Sequence, residues 1–176
     1  MRSQNLKLQV ITISVIIFAL AIFRLLPHLP NVSPVAAMAL FGGAYFADKK
    51  LAFIVPFAAL LLSDLLLGLH NTMIFVYAGF ALTVIIGFMI KDRVSVTNTA
   101  FAVLASSVLF FLLTNFGAWM TSPLYTRTAE GLMQAYAAGI PFFQNSLIGN
   151  LVFAAIIFGG YHLLQKNVAA LKLEKI

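Results

Sequence analysis

Residues 8–26 of the chain read LQVITISVIIFALAIFRLL, an apolar run whose only charged residue is Arg24. A helix needs roughly 20 apolar residues to cross about 30 Å of hydrocarbon. Comparable runs recur at 33–46, 51–68, 72–90, 99–116 and 141–164. The sequence therefore predicts an all-α polytopic membrane protein, with six transmembrane helices in a single bundle that forms one domain over residues 1–176.

The composition supports this class. Of the 176 residues, 62% are hydrophobic and 9% are charged, which is too little polar surface to cover a water-soluble globule. The chain has no cysteine, which excludes disulfides, thiolate metal sites and a thiol nucleophile. Its basic residues are scattered between apolar runs instead of forming a patch, so the net charge of +6 does not indicate nucleic acid.

The basic residues predict the orientation. Nine of the eleven Lys and Arg residues lie in the N-terminal segment, the 47–50 and 91–98 links and the C-terminal tail, and the other two are Arg24 and Arg127. With six spans, all four of these segments fall on one side of the membrane, and the positive-inside rule makes both termini cytoplasmic. Ala19-Leu20-Ala21 also resembles a signal-peptide cleavage site, but the run continues to Leu26, which favours a retained first helix.

Two features concern packing. The second run is short, so it should start below the membrane surface or be shielded by its neighbours. It also carries Ala39, Gly43 and Ala47 at spacings of four, a stripe of small residues that lets backbones approach closely. The stripe serves either packing within the chain's own bundle or contact with another membrane protein.

The predicted external side holds the longest polar stretch, 117–140, part of which (129–138) is predicted as a short interfacial helix. A connection of this length is typical of a cap over a ligand, although an aromatic interface anchor would look similar. The catalogue of motifs is negative: the sequence shows no Walker A, nucleophile elbow or His-Glu-x-x-His pattern, which argues against an ATPase or hydrolase.

Polar residues near the external side supply the candidate site. Asp64 is the chief one, because a charge within a membrane helix costs about 2.5 to 3.5 kcal/mol on insertion scales, and an ion pair with Arg24 would lower the cost of both. The convergence of polar groups at this level predicts a small-molecule pocket open to the exterior. The predicted ligand-binding residues are Arg24, His28, Asn31, Asp64, His70, Tyr77, Asn115, Trp119 and Tyr125.

The run from Arg24 to Phe46, RLLPHLPNVSPVAAMALFGGAYF, together with LLLSDLLLGLH at 60–70, resembles the substrate-binding S-components of energy-coupling-factor (ECF) vitamin transporters. Within that group it is most similar to the BtuM-type family of cobalamin uptake in Gram-negative bacteria. The specific motifs cover roughly the first half of the chain.

The resemblance implies an inner-membrane subunit for vitamin uptake that captures cobalamin or a related corrinoid at the external face. It implies no intrinsic cofactor, and an optional ECF energising module made of a membrane coupling protein and two ATPases, for which Ala39, Gly43 and Ala47 are the candidate contact surface. BtuM-type proteins are associated with a cysteine ligand to cobalt, which this chain lacks, so His28 or His70 is the candidate replacement. The alternatives are an S-component for another vitamin or small molecule, a membrane enzyme that modifies a bound cofactor, and a scaffold without a ligand.

Overall fold

Six α-helices follow one another in the predicted order in the structure, a computed structural model that describes residues 2–27 and 29–171. They are α1 (Arg2–Phe23), α2 (Val35–Tyr45), α3 (Lys49–Leu67), α4 (Met73–Ile90), α5 (Val96–Thr121) and α6 (Ala129–Asn167). Short 3₁₀ turns follow α4 (Lys91–Arg93) and α6 (Ala169–Leu171). No β-strand occurs within the described residues, so the predicted all-α class is confirmed for them.

Five of the helices, α1, α3, α4, α5 and α6, are long and apolar enough to cross a membrane. Their outer faces carry large apolar side chains that would be unfavourable in water: Ile22 is 63% exposed, Leu66 74% and Ile74 72%. Hydrocarbon is the solvent that accepts such a surface without cost. The chain therefore has the features of a multi-pass membrane protein.

The sixth helix, α2, does not have spanning length. Its 11 residues extend about 16 Å, roughly half the hydrocarbon thickness. All of its residues except the first are buried, because α3, α4 and α6 pack around it. The prediction of a short, shielded second helix is confirmed, while the bundle consists of five helices of spanning length around one enclosed helix.

The enclosed helix owes its position to two glycines that face different neighbours. A Cβ on Gly42 would lie 2.6 Å from Cγ of Pro56 in α3. A Cβ on Gly43 would clash with the carbonyl oxygen of Val84 in α4, and it would lie 2.9 Å from Cα of Gly87. The backbones of α2 and α4 are thus in direct contact, as small residues permit in membranes.

This packing settles the role of the small-residue stripe. Ala39 is 0% exposed and Gly43 is buried between α2 and α4, so neither can contact another protein, and the prediction of a partner surface is wrong for both. The alternative, packing within the bundle, is confirmed for these two residues. Ala47 alone is exposed, beyond the end of α2.

Two contacts mark the two ends of the bundle. Arg24, just after α1, pairs with Asp64 near the end of α3, so α1 and α3 run parallel, and we refer to this end as the Arg24 end. At the opposite end, Nζ of Lys91 donates to the carbonyl oxygen of Ala47 at 3.2 Å, and we refer to it as the Lys91 end. Helix α1 contributes Ile13 and Ile17, at 1% and 0% exposure, to the core, as expected of a helix retained in the mature protein.

The predicted external cap, 117–140, has a different structure. Its first residues complete α5, its last twelve begin α6, and only 122–128 lie outside a helix. The predicted short interfacial helix is present but continues without a break through Pro141 into the last span. At 39 residues, α6 is about 58 Å long, well beyond the 40 to 45 Å of a whole bilayer.

The 122–128 connection is held firmly. The guanidinium of Arg127 donates to the carbonyl oxygens of Trp119 and Met120, the latter at 2.7 Å, and it lies 5.9 Å from the centre of the Trp119 ring. Nε1 of Trp119 donates to the carbonyl oxygen of Thr126 at 2.8 Å. The side chain of Thr128 then caps α6 by accepting from N–H of Gly131. Arg127 therefore satisfies carbonyls at the end of α5 that a helix leaves unpaired.

We expect Gly87→Ala to destabilise the protein by about 1 to 3 kcal/mol, because the added methyl would lie 2.5 Å from the carbonyl oxygen of Leu40 and must separate α2 from α4. The matched control is Gly159→Ala in α6, where an added Cβ meets nothing within 4 Å. The measurement is unfolding of the detergent-solubilised protein followed by circular dichroism. Equal stability of the two variants would contradict the direct contact between α2 and α4.

Candidate functional site

A buried ion pair anchors the Arg24 end. Nη2 of Arg24 lies 2.8 Å from Oδ1 of Asp64, and the two side chains are 14% and 3% exposed. Nη1 donates to the hydroxyl of Ser63 and, at 3.5 Å, to the carbonyl oxygen of Leu60. The ion pair predicted from the cost of a charge in a membrane helix is therefore present.

Asp64 uses its second oxygen as well. The hydroxyl of Tyr77, in the second turn of α4, donates to Oδ2 of Asp64 at 3.0 Å. The carboxylate thus joins α1, α3 and α4 through one side chain. Both charges have an ionic partner and hydrogen bonds, which is the condition under which a buried ion pair is tolerated.

Beside this ion pair lies a cavity of about 390 Å³ that opens at the Arg24 end. It lies between α5 and α6, the segment that precedes α2, and the first residues of α2 and α4. Its polar lining residues are Arg24, Asn31, Ser33, His70, Ser107, Thr114, Asn115, Ser146 and Asn150, and its aromatic ones are Phe110, Phe111, Phe142 and Phe143. A concave site with an apolar body and a few convergent polar groups is typical of small-molecule binding.

The segment 29–34 is fixed against α6 and forms one wall. Asn31 has a φ of 63°, a left-handed conformation that asparagine adopts more readily than most residues. Nδ2 of Asn145 donates to the carbonyl oxygen of Pro30 at 3.2 Å, and the hydroxyl of Ser146 donates to that of Asn31 at 3.1 Å. The segment therefore has a defined position although it belongs to no helix.

The floor of the cavity holds buried polar groups with unused hydrogen-bonding capacity. Nδ2 of Asn150 donates to the hydroxyl of Ser107 at 3.2 Å, and these two residues are 5% and 3% exposed. Oδ1 of Asn150 and the hydroxyl of Ser33 are buried and have no hydrogen-bond partner among the described residues. Leaving such groups unpaired costs about 1 to 3 kcal/mol each, so a ligand that pairs them gains binding free energy.

Where the α5 and α6 walls meet, space is limiting. Nδ2 of Asn115 bonds the carbonyl oxygen of Phe111 at 2.8 Å, and a Cβ on Gly139 would overlap the Asn115 amide. The glycine lets the two helices approach and keeps Asn115 at the cavity.

The structure brings together four of the predicted ligand-binding residues: Arg24, Asn31, His70 and Asn115 line the cavity. Nδ1 of His70 lies 2.8 Å from the hydroxyl of Thr72, which fixes the ring. His28, a predicted contact and the other candidate cobalt ligand, lies outside the described residues. No group of three His, Cys, Asp or Glu side chains that could hold a metal ion occurs within 2–27 and 29–171.

The remaining predicted residues are not in the cavity wall. Asp64 and Tyr77 lie behind Arg24 and position it, so the prediction of direct contact is wrong for both in this arrangement. Trp119 and Tyr125 are engaged with the 122–128 connection and do not line the cavity, because α5 and α6 carry them past its opening.

Sequence reasoning missed the contribution of α5 and α6. Ser107 and Asn150 lie inside long apolar runs, and an amide or hydroxyl there is a signal of the same kind as Asp64, although a weaker one. Ser33 and Ser146 carried no such signal, because they adjoin polar segments.

Two results come from comparison with other proteins. A family model described as a family of unknown function, DUF6580, matches residues 4–171. Neither the curated proteins nor the solved structures include a significant match to this chain.

We expect Asp64→Asn to destabilise the protein by about 3 kcal/mol, because it leaves the guanidinium of Arg24 without a counter-charge. The exposed Asp92→Asn is the matched control. The double variant Arg24→Met, Asp64→Leu removes both charges and should recover much of the loss. The measurement is unfolding in detergent; a double variant less stable than Asp64→Asn would contradict the ion-pair explanation.

Proposed function

The chain belongs to the DUF6580 family, whose function is unknown, and we propose from its site that it is a membrane-embedded binding subunit for the uptake of a small molecule. The observation that carries this proposal is the cavity at the Arg24 end, where buried, unpartnered polar groups lie beneath an aromatic wall. Ligand capture, not catalysis, suits this arrangement, since the lining contains no nucleophile and base in a catalytic pair.

The orientation is part of the proposal. Lys49, Lys50, Lys91, Arg93 and Lys166 all belong to the Lys91 end, while Arg24 and Arg127 belong to the other. The positive-inside rule then places the Lys91 end and both termini in the cytoplasm, and the cavity opens to the exterior. In a bacterium with two membranes, this is the periplasmic side of the inner membrane.

The ligand we favour is a vitamin-sized molecule. A volume of about 390 Å³ lies at the lower end of the range for drug-sized ligands. A corrinoid, the ligand that the sequence resemblance implies, is a much larger macrocycle and would require the α5 and α6 walls to separate. It stays the second candidate because His70 offers an imidazole at the cavity.

Energy for uptake would come from a partner. The chain carries no nucleotide-binding motif, and the S-component resemblance assigns this role to a coupling protein with two ATPases. Since Ala39 and Gly43 are internal, such a partner would have to contact other, lipid-facing parts of the bundle.

The proposed orientation can be tested by single-cysteine labelling, since the natural chain has no cysteine. With Thr126→Cys, we expect a membrane-impermeant maleimide to label the protein in cells whose outer membrane has been permeabilised, because Thr126 is exposed in the 122–128 connection. Asp92→Cys, in the exposed turn at the Lys91 end, should react only after the inner membrane is opened. The reverse pattern would overturn the orientation.

The binding proposal predicts that the purified protein gains thermal stability with at least one of thiamine, biotin, pantothenate, riboflavin and cyanocobalamin, or carries a small molecule detectable by mass spectrometry. Thr114→Phe, which fills the cavity, should weaken binding at least tenfold. Thr121→Phe is the matched control, because both threonines bond the carbonyl four residues before them in α5 but only Thr114 lines the cavity.

The absorbance spectrum after incubation with cyanocobalamin identifies the corrinoid outcome directly. If no molecule co-purifies and none of the five binds, the proposed function is wrong. Equal binding by Thr114→Phe and Thr121→Phe would place the ligand elsewhere.

A further inference from the structure

The floor and the rim of the cavity differ in charge, and this difference restricts the ligand. At the floor, the polar groups of Ser33, Ser107 and Asn150 are all neutral. A charged ligand group there would lose its hydration without gaining a counter-ion, at a cost far above that of a neutral polar group. The part of the ligand that reaches the floor is therefore neutral.

The floor also specifies hydrogen-bonding groups. Asn150 is held at one end of its amide by Ser107, and the other end, Oδ1, is an unpartnered acceptor in a residue that is 95% buried, since its exposure is 5%. The hydroxyl of Ser33 can donate and accept. A ligand group with one N–H donor and one carbonyl acceptor, such as an amide or a lactam, would satisfy both residues.

The walls indicate the shape of the ligand. Phe110 and Phe111 of α5 face Phe142 and Phe143 of α6 across the cavity, and the rings of Phe111 and Phe143 lie 5.0 Å apart. Aromatic side chains favour stacked or edge-on contact with another ring over contact with a polar chain. A planar ring is the body that this wall accommodates.

At the rim, Arg24 provides the opposite kind of group. Its contacts with Asp64, Ser63 and Leu60 use Nη1 and Nη2 and do not involve Nε–H. No carboxylate lines the cavity within the described part of the chain. Phe23, next to Arg24, stacks on Phe153, one turn beyond Asn150, with ring centres 5.0 Å apart, so α1 and the floor of the cavity are adjacent.

From this polarity we propose that the ligand is a planar ring compound that carries a neutral amide or lactam group, bound by Asn150 and Ser33, and a carboxylate or carbonyl oxygen directed at Arg24. The inference rests on the proposed binding function and names the ligand class of the same cavity. A ligand that is cationic at its buried end is disfavoured, because the floor lacks a counter-ion.

Three related probes test it: 4-carbamoylbenzoate, which has both groups, benzoate, which lacks the amide, and benzamide, which lacks the carboxylate. We expect 4-carbamoylbenzoate to bind the purified protein about tenfold more tightly than either of the others, as measured by isothermal titration calorimetry. Benzoate binding as tightly as 4-carbamoylbenzoate, or no binding of 4-carbamoylbenzoate at millimolar concentration, would overturn the inference.

Variants locate the contact. Asn150→Leu should remove the preference for 4-carbamoylbenzoate over benzoate, whereas Asn167→Leu, on the same helix at the exposed Lys91 end, should preserve it. Ser33→Ala lies outside the helices and gives the same test if Asn150→Leu does not fold; it should reduce the preference severalfold. An unchanged preference in the folded variants would overturn the assignment.

The two proposals fail differently. If one of the five vitamins binds, and Thr114→Phe blocks it, while Asn150→Leu and Ser33→Ala have no effect, the binding function stands and the amide assignment is wrong. If neither the vitamins nor the three probes bind and nothing co-purifies, the binding function itself is wrong.

Discussion

The structure depends on the direct contact between the backbones of α2 and α4. Apolar side chains gain little by leaving lipid for one another, so helix association in a membrane relies on close packing. Gly43 and Gly87 bring the two helices together without side chains between them, and Gly42 does the same for α2 and Pro56 of α3. A helix of 11 residues can then lie at the centre of the bundle, surrounded by protein instead of lipid. Since α2 is short, the 29–34 segment before it lies within the bundle end, where it forms a wall of the cavity.

The ion pair of Arg24 and Asp64 and the cavity are two parts of one arrangement. Asp64 holds the guanidinium from one side, and Tyr77 holds Asp64, so Arg24 presents a fixed edge toward the cavity. The charge of Arg24 is thereby retained at low cost in an apolar surrounding. The floor relies on α6 and α5 instead, through Asn150 and Ser107. Preorganisation of this kind reduces the entropy lost on binding.

The sequence predicted the helices better than their ends. Apolar runs identified all six helices, since hydropathy depends on local composition. They missed the extensions of α5 to Thr121 and of α6 back to Ala129, because polar residues such as Glu130 and Gln134 hide a helix that leaves the hydrocarbon. The ion pair was predictable because a charge in an apolar run demands a partner, and Arg24 was at the right depth.

The site itself was only partly predictable. Arg24, Asn31, His70 and Asn115 were identified as polar groups at one membrane level, but level does not determine which way a side chain points. Asp64 and Tyr77 share that level and face away from the cavity. The contribution of Asn150 depends on α6 lying against α5 and the 29–34 segment, a long-range contact that no local pattern encodes. For the same reason the small-residue stripe could not reveal whether its partner was α4 or another protein.

Pro141 in α6 gives this cavity a mechanical property. A proline inside a helix cannot donate to the carbonyl four residues before it, here that of Ala137, so the helix resists bending least at this point. Gly139, in the wall, precedes the proline, while Asn150, in the floor, follows it. The wall and the floor are thus carried on two arms of one helix that meet at its most compliant turn, so a bend at Pro141 would widen the cavity without disturbing the contact between α2 and α4.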